Sequence, residues 1–221
     1  MSTIRRNLFA VGVLACAAAT RAFAAVPDLP PDRYDTIIRH GLVYDGTGQP
    51  ARRADVGLRG DRVASVGDLS HAVATTEIDA TGRAVAPGFI NVLSWAGVSL
   101  IADGRGMSDL KQGVTLEIMG EGDSGGPLNE AMKARWLAKQ GDVKFPIDWT
   151  SFGGFLDALV RRGISPNVAS FVGATTVREY VLGEDDVDPT PAQLAQMQDL
   201  VRQSMREGAL GVGSSLIYAP A

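Results

Sequence analysis

The sequence predicts an α/β protein in which a small β-rich module precedes about half of an eight-stranded (β/α) barrel. Residues 34–83 contain short apolar segments separated by turn residues, a pattern typical of β-strands. From residue 84 onward, strand-type and helix-type segments alternate, which indicates parallel βα units. A complete barrel usually takes about 250 residues. Because residues 84–221 contain four strand-type segments, we expect the barrel to be incomplete.

The first 24 residues have the pattern of a signal peptide. Arg5-Arg6 precede a short apolar stretch, and Ala22-Phe23-Ala24 forms a small-residue cleavage site. This predicts export to the periplasm or the medium, by either the general secretion route or the twin-arginine route. The only cysteine, Cys16, lies in this segment and could also mark a lipoprotein processing site. Cleavage after Ala24 would leave no thiol to act as a nucleophile or a metal ligand.

The charge and hydropathy of the chain exclude two classes of partner. The formal net charge is −4, so the sequence gives no basic footprint for nucleic acid. The apolar stretch in the leader is too short for a permanent transmembrane helix.

The β-rich module follows a proline-rich linker at residues 25–33 and spans residues 34–83. A hairpin is indicated by two short apolar segments around Gly60-Asp61. The strands predicted for this module are Tyr34–Val43, Ala54–Arg59, Arg62–Val66 and Glu77–Asp79.

Residues 84–221 are predicted to form the barrel segment. The clearest helix begins after Thr190, since Pro191 stands at the first helical position and Gln193 completes a capping box. Two further helices are predicted within Leu128–Lys139 and Trp149–Arg162. The predicted strands are Ala84–Val92, Val114–Met119, Asn167–Val172 and Ala209–Ser214.

Six segments together resemble the amidohydrolase superfamily. Residues 34–48, 54–63 and 78–90 are similar to the opening β-sandwich and the approach to the first barrel strand of that superfamily. Residues 112–115, 120–124 and 208–218 resemble its D-aminoacylase branch. The resemblance implies a β-sandwich followed by a (β/α) barrel. It also implies a zinc-dependent hydrolase that cleaves the amide of an N-acyl-D-amino acid.

The resemblance also identifies candidate site residues and one departure from the family. The family's His-x-His metal pair falls on Leu93 and Trp95, whose side chains cannot bind zinc. Glu121 matches, across a one-residue gap, a family position for a metal-binding cysteine or carboxylate. Tyr218 matches a tyrosine that lines the family's substrate pocket, and Arg178 is a candidate partner for a substrate carboxylate. No catalytic residue is assigned.

These residues lead to two hypotheses of different classes. In the first, the chain is a truncated deacylase that is inactive alone and binds no zinc. In the second, it is a non-catalytic scaffold or binding fragment that self-associates or is completed by another chain. A third reading, a dihydropyrimidinase-like enzyme, would require a lysine on a middle strand, and the predicted strands contain none.

Overall fold

The computed structural model describes residues 32–217, which fall into two compact units divided between Ala86 and Pro87. The predicted signal peptide, Cys16 and Tyr218 lie outside the described residues. In the described part of the chain, no helix has the length and apolar character needed to cross a membrane.

The described part of the first unit contains one mixed β-sheet. Strand β1 is central: it pairs antiparallel with β2 and parallel with β4 and β5, while β2 and β3 form the predicted hairpin. Tyr34, Ile37, Leu69 and Ala72 form its buried apolar cluster. The two-sheet sandwich remains a prediction. The strands are β1 (Arg33–Val43), β2 (Arg52–Arg59), β3 (Arg62–Gly67), β4 (Val73–Asp79) and β5 (Ala84–Val85).

Arg39 connects β1 to the loop that precedes β4. Its guanidinium donates hydrogen bonds to the backbone oxygens of Leu69 (2.6 Å) and Ala72 (2.8 Å) and to Glu77 Oε1 (2.6 Å). It also lies 3.5 Å from Asp55 Oδ2. The Arg39 side chain is only 12% exposed, so these partners replace most of its water. The hydrogen bond from Arg39 is the main reason that the pKa of Glu77 is lowered.

The second unit contains a parallel sheet in the order β6-β7-β8 and a separate parallel pair, β9 and β10. Its largest apolar cluster includes Leu100, Met119, Leu128, Trp149 and Phe155. The strands are β6 (Phe89–Asn91), β7 (Val114–Met119), β8 (Asn167–Ser170), β9 (Val172–Gly173) and β10 (Val212–Gly213). The helices are α1 (Gly97–Ala102), α2 (Met107–Leu110), α3 (Glu130–Lys139), α4 (Phe152–Arg162), α5 (Ala174–Leu182) and α6 (Pro191–Arg206).

Local capping signals define the ends of the longer helices. The side chains of Asn129 and Ser151 accept hydrogen bonds from backbone N–H groups in the first turns of α3 and α4. Gly163 ends α4 in the left-handed conformation, at φ 80°. The predicted capping box at Thr190 and Gln193 is confirmed, with both reciprocal hydrogen bonds present.

The structure corrects three of the predicted strands. The apolar segment Ala84–Val92 is divided at residues 86–88, so that β5 belongs to the first unit and β6 to the second. Pro87 explains the interruption, because proline has no N–H for a strand ladder. The segment Asn167–Val172 is broken at Phe171, and Ala209–Ser214 shortens to two paired residues. Helices α1, α2 and α5 were not predicted.

Candidate functional site

The candidate site lies where β6 and β7 end. These strands are parallel neighbours, so their carboxyl ends lie at the same edge of the sheet, where functional loops of βα proteins gather. Residues 92–96 follow β6, and residues 120–126, here called the glycine-rich loop, follow β7. A hydrogen bond from Ser94 N to Ile118 O (2.9 Å) continues the strand contact into the site.

The glycine-rich loop is attached to the start of α5 by buried hydrogen bonds. Ser124 N donates to Thr176 Oγ1 (2.8 Å), and Gly173 N donates to Ser124 Oγ (2.9 Å). Thr175 N donates to Gly122 O (3.1 Å). Ser124, Thr175 and Thr176 are all buried. These contacts fix the loop without using the carboxylates of Glu121 or Asp123.

Close backbone contacts between the glycine-rich loop and the neighbouring strands require glycine at three positions. Gly120 has φ +97°, and a Cβ added to it would lie 2.1 Å from Phe171 O. A Cβ on Gly173 would lie 2.2 Å from Gly122 O, and one on Gly213 would lie 2.0 Å from Gly120 O. The loop therefore packs directly against the backbone around β9 and β10.

The strand-end pocket, a cavity of about 230 Å³, lies beside this loop. Its walls come from the segment after β6, from α1, α3 and α4, and from the glycine-rich loop. Glu121 and Asp123 are its two carboxylates. Seven large apolar side chains line it, namely those of Trp95, Val98, Ile101, Met119, Trp136, Phe145 and Phe155.

Neither pocket carboxylate has a hydrogen-bond or ion-pair partner among the side chains of residues 32–217. Asp123 retains contact with solvent, yet the surrounding protein removes part of its hydration. This desolvation raises the pKa of Asp123 above its ordinary value of 3.8. A carboxyl with a raised pKa in an apolar pocket is a feature of ligand-binding and active sites.

The cations nearest to the site are already paired. In a smaller adjoining pocket that shares Asp123 and Trp136, Arg135 lies 2.8 Å from Glu179 Oε2. Glu184 pairs with both Arg135 and Lys139, at 3.6 Å each. Desolvation raises the pKa of Glu179, and the charge of Asp123 raises it further, against the lowering effect of Arg135.

Glu117 is a third carboxylate close to the strand ends. It lies in the middle of β7 and is 1% exposed, and neither of its oxygens has a hydrogen-bond partner among residues 32–217. Met119, two residues later on the same face of the strand, contributes to the buried apolar cluster. A carboxyl in such surroundings lowers stability unless it gains a partner.

The residues singled out in the sequence are placed in different surroundings. Leu93 and Trp95 are 55% and 64% exposed after β6, and Trp95 lines the pocket together with Glu121. Arg178 donates hydrogen bonds to the backbone oxygens of Asp185 (2.9 Å) and Val187 (3.1 Å), so its guanidinium holds the loop after α5. Trp136 and Phe145 were not identified from the sequence, because neither lies in a recognisable motif.

The described residues do not fit a zinc site. Within residues 32–217, no group of three or more histidine, cysteine, aspartate or glutamate side chains could hold a metal ion. Zinc in proteins is normally held by three or four such ligands, and Leu93 and Trp95 supply none. Glu121 is the single family-type candidate ligand at these strand ends.

Parallel strands with a pocket at their carboxyl ends are features of a βα-type protein, and comparisons with known proteins show what this chain is similar to. The chain is 35% identical to the D-aminoacylase of Alcaligenes xylosoxydans xylosoxydans over 192 residues, which are 85% of this chain and 39% of that enzyme. It is equally identical to the N-acyl-D-glutamate deacylase of the same organism, over 86% of this chain and 38% of the deacylase. The chain is therefore homologous to part of each of these deacylases, and its relatives belong to the D-aminoacylase branch of the amidohydrolases. No family model matches it.

Solved structures give the same assignment. A crystal structure of D-aminoacylase superposes with a TM-score of 0.74, covering 85% of this chain and 40% of that structure at 35% identity. The N-acyl-D-glutamate deacylase of Bordetella bronchiseptica gives a TM-score of 0.75 over the same shares, at 31% identity. That deacylase was solved with zinc and a phosphonate inhibitor that mimics the tetrahedral intermediate. Zinc is thus present in that relative, and a study of D-aminoacylase describes a binuclear metal centre. The described part of this chain lacks a fitting ligand set.

Proposed function

We propose that this chain is part of an amide hydrolase that acts on N-acyl-D-amino acids. The 35% identity to D-aminoacylase, extending over 85% of the chain, is the observation that carries the proposal. The chain spans about two fifths of the length of the relatives that it matches. The proposed activity therefore belongs to a protein in which this chain and further residues act together.

We further propose that residues 87–217 form the opening strands of a (β/α) barrel. Two features support this: β6, β7 and β8 are parallel neighbours in chain order, and helices separate them along the chain. In such a barrel, the strand-end pocket would lie at the catalytic face. This part of the chain would supply Glu121, Asp123 and the aromatic wall, while other residues would supply the metal ligands and the catalytic base.

The coding sequence after the codon for Ala221 gives the first test of this proposal. An in-frame or adjacent segment encoding further strands with histidines and an aspartate would support it. The polypeptide or pair of polypeptides so defined is then assayed with zinc and N-acetyl-D-methionine, and release of D-methionine is expected. Absence of such a segment, or of hydrolysis by the assembled protein, would contradict the proposal.

The 221-residue chain alone should release no amino acid from N-acetyl-D-methionine, with or without added zinc. The double variant Leu93→His, Trp95→His should also stay at background, since two histidines and Glu121 do not restore the missing base. Amine release is measured against a metal-free control. Turnover by either version would place a catalytic base within these 221 residues.

The exposed apolar residues around β6 favour a second reading, a binding fragment completed by another polypeptide. Phe89, Ile90, Val92 and Leu93 are 55–71% exposed, although such side chains normally pack in a barrel. A strand with open apolar neighbours is a template for pairing with other chains. On this reading, the chain alone self-associates in light scattering, and a monodisperse monomer would argue against it.

We also propose export, on the basis of the leader sequence, which lies outside the described residues. The exported protein should begin at Ala25, as determined by N-terminal sequencing. Loss of export in an Arg5→Lys, Arg6→Lys variant would indicate the twin-arginine route. An exported protein that retains Met1 would contradict cleavage.

A further inference from the structure

We propose that a groove beside the strand-end pocket binds the acyl chain of an N-acyl-D-amino acid and selects substrates in which that chain is long. The groove, here called the α3 groove, lies between Val98 of α1, Trp136 and Lys139 of α3, and the turn at residues 140–145. This inference rests on the proposed function and names the class of its substrate. The acyl part would be an extended hydrocarbon chain instead of an acetyl group.

The α3 groove continues the wall of the strand-end pocket. Val98, Trp136 and Phe145 line both cavities, so the two spaces adjoin across these three side chains. The strand-end pocket, at about 230 Å³, is below the range of roughly 300–1,000 Å³ that ligand pockets occupy, whereas the α3 groove has about 600 Å³. A substrate longer than an acetylated amino acid therefore has room only if it extends into a neighbouring space.

The walls of the α3 groove suit a hydrocarbon chain. Its large side chains are mostly apolar, and Val98 and Val143 are 50% and 42% exposed, so water now covers them. The charged side chains of the lining are Lys139, which pairs with Glu184 at 3.6 Å, and the exposed Asp142. A hydrocarbon chain in the groove would remove apolar surface from water on both sides without burying a charge.

The other space that adjoins the strand-end pocket does not suit such a chain. That smaller pocket is lined by Arg135, Glu179 and Glu184, which form ion pairs with one another. A hydrocarbon chain there would displace water from charged groups and offer them no hydrogen bonds in return. The α3 groove is therefore the side on which the apolar part of a substrate would leave the strand-end pocket.

Hydrogen bonds fix the turn that forms the outer wall of the groove. Gln140 Nε2 donates to the backbone oxygen of Phe145 (2.9 Å), and Phe145 N donates back to Gln140 Oε1 (3.2 Å). Lys144 Nζ donates to the backbone oxygen of Gln140 (2.6 Å). Val143 is carried by this closed turn, so the groove exists before a ligand arrives and little ordering cost opposes binding.

The binding test compares N-decanoyl-D-methionine with N-acetyl-D-methionine on the full 221-residue chain by calorimetry. The head group is the same in both probes, so a difference in affinity reports the acyl chain. Each buried methylene group strengthens binding roughly fourfold, and we expect the decanoyl probe to bind about 100-fold more tightly. Equal affinities, or no binding of the decanoyl probe, would overturn the inference and leave the hydrolase proposal untouched.

Two substitutions with the same chemistry locate the binding site. Val143→Asp introduces a charge into the groove and should weaken binding of the decanoyl probe about tenfold. Leu137→Asp places a charge on α3 at a position that is similarly exposed, at 45%, but lines neither cavity, and it should leave binding unchanged. Val98→Asp is the second groove variant if Val143→Asp does not fold. Equal losses in the groove variant and in Leu137→Asp would place the chain elsewhere on the apolar surface and overturn the inference.

The completed protein separates this inference from the proposed function. There, kcat/KM for N-decanoyl-D-methionine should exceed that for N-acetyl-D-methionine about tenfold or more, and Val143→Asp should lower this ratio while Leu137→Asp should not. Hydrolysis of the acetyl substrate without such a preference would overturn the inference alone. Hydrolysis of neither substrate, with chain-length-dependent binding intact, would contradict the proposed hydrolase and leave the acyl-binding groove standing.

Free decanoate distinguishes a substrate subsite from a separate fatty-acid site. If the α3 groove opens to the catalytic pocket, decanoate should inhibit hydrolysis of N-acetyl-D-methionine competitively, because its carboxyl end would reach the strand-end pocket. Non-competitive inhibition would indicate a fatty-acid site apart from the substrate and would overturn the inference.

Discussion

Replacement of Gly120 by alanine should destabilise the second unit by roughly 2–5 kcal/mol, the largest loss that we expect from a single methyl group in this protein. Two effects combine. At φ +97°, an L-residue is strained, which costs roughly 1–2 kcal/mol. The new Cβ would also lie 2.1 Å from Phe171 O and 2.8 Å from Ser170 Oγ, and the backbone oxygen cannot move without disturbing β9. Such overpacking costs roughly a further 1–3 kcal/mol.

A variant of a second glycine, Gly208, separates the cost of backbone strain from the cost of steric overlap. Gly208 has nearly the same φ, +101°, but a Cβ there would meet nothing within 4 Å. Gly208→Ala should therefore cost only the strain, roughly 1–2 kcal/mol. The free energies of unfolding are compared by urea titration of both variants. Equal losses would mean that the glycine-rich loop moves away from β9 at little cost, in conflict with the buried hydrogen bonds of Ser124.

Replacement of Arg39 by methionine should destabilise the first unit by about 2–4 kcal/mol. Methionine keeps the length and apolar part of the side chain but removes every hydrogen bond of the guanidinium. The backbone oxygens of Leu69 and Ala72 would lose charged donors, and the buried Asp55 would lose its only ion-pair partner in the described part of the chain. Unpaired buried groups lower stability more than a lost surface contact does.

A variant of an exposed arginine and a pH series test whether the burial of Arg39 explains the loss of stability in Arg39→Met. Arg52 is 53% exposed and pairs with Asp45 at 3.0 Å, so Arg52→Met should have only a small effect. The pKa of Glu77 is lowered in the folded protein, so its interaction with Arg39 stabilises the fold above the ordinary carboxyl pKa of 4.5. That contribution is lost as the pH falls through this range. The difference between wild type and Arg39→Met should accordingly shrink in acid, and a difference that is constant with pH would exclude the ion pair as a contributor.

Sequence patterns predicted the elements whose signals lie within a few residues. The alternation of Tyr34–Val43 matches β1 within one residue, and Val114–Met119 matches β7. Thr190, Pro191 and Gln193 specify the start of α6 because their hydrogen bonds are made within one turn. The resemblance to the D-aminoacylase branch was likewise readable from short segments in order, and the comparisons confirm it.

Other elements depended on contacts that no local pattern records. The strand-forming residues at the start of α5 begin a helix, because Thr175 and Thr176 are buried there by hydrogen bonds to the glycine-rich loop. The apolar segment after Ala84 is divided between two units, although its composition is continuous. The role predicted for Arg178, as a partner for a substrate carboxylate, stays a prediction, and its guanidinium donates hydrogen bonds to backbone oxygens a few residues away.

The sequence by itself predicted the resemblance to the D-aminoacylase branch and the order of the main strands and helices. The assignment of the family's histidine pair to Leu93 and Trp95 stays a prediction. Only the tertiary structure decided that Trp95, Trp136 and Phe155 line one pocket, and that Glu121 and Asp123 lie on it without side-chain partners in the described part of the chain. The physical reason is distance along the chain. Backbone propensity and capping act between neighbours in sequence, whereas a pocket forms where separate elements pack, and desolvation of a carboxyl depends on all of them together.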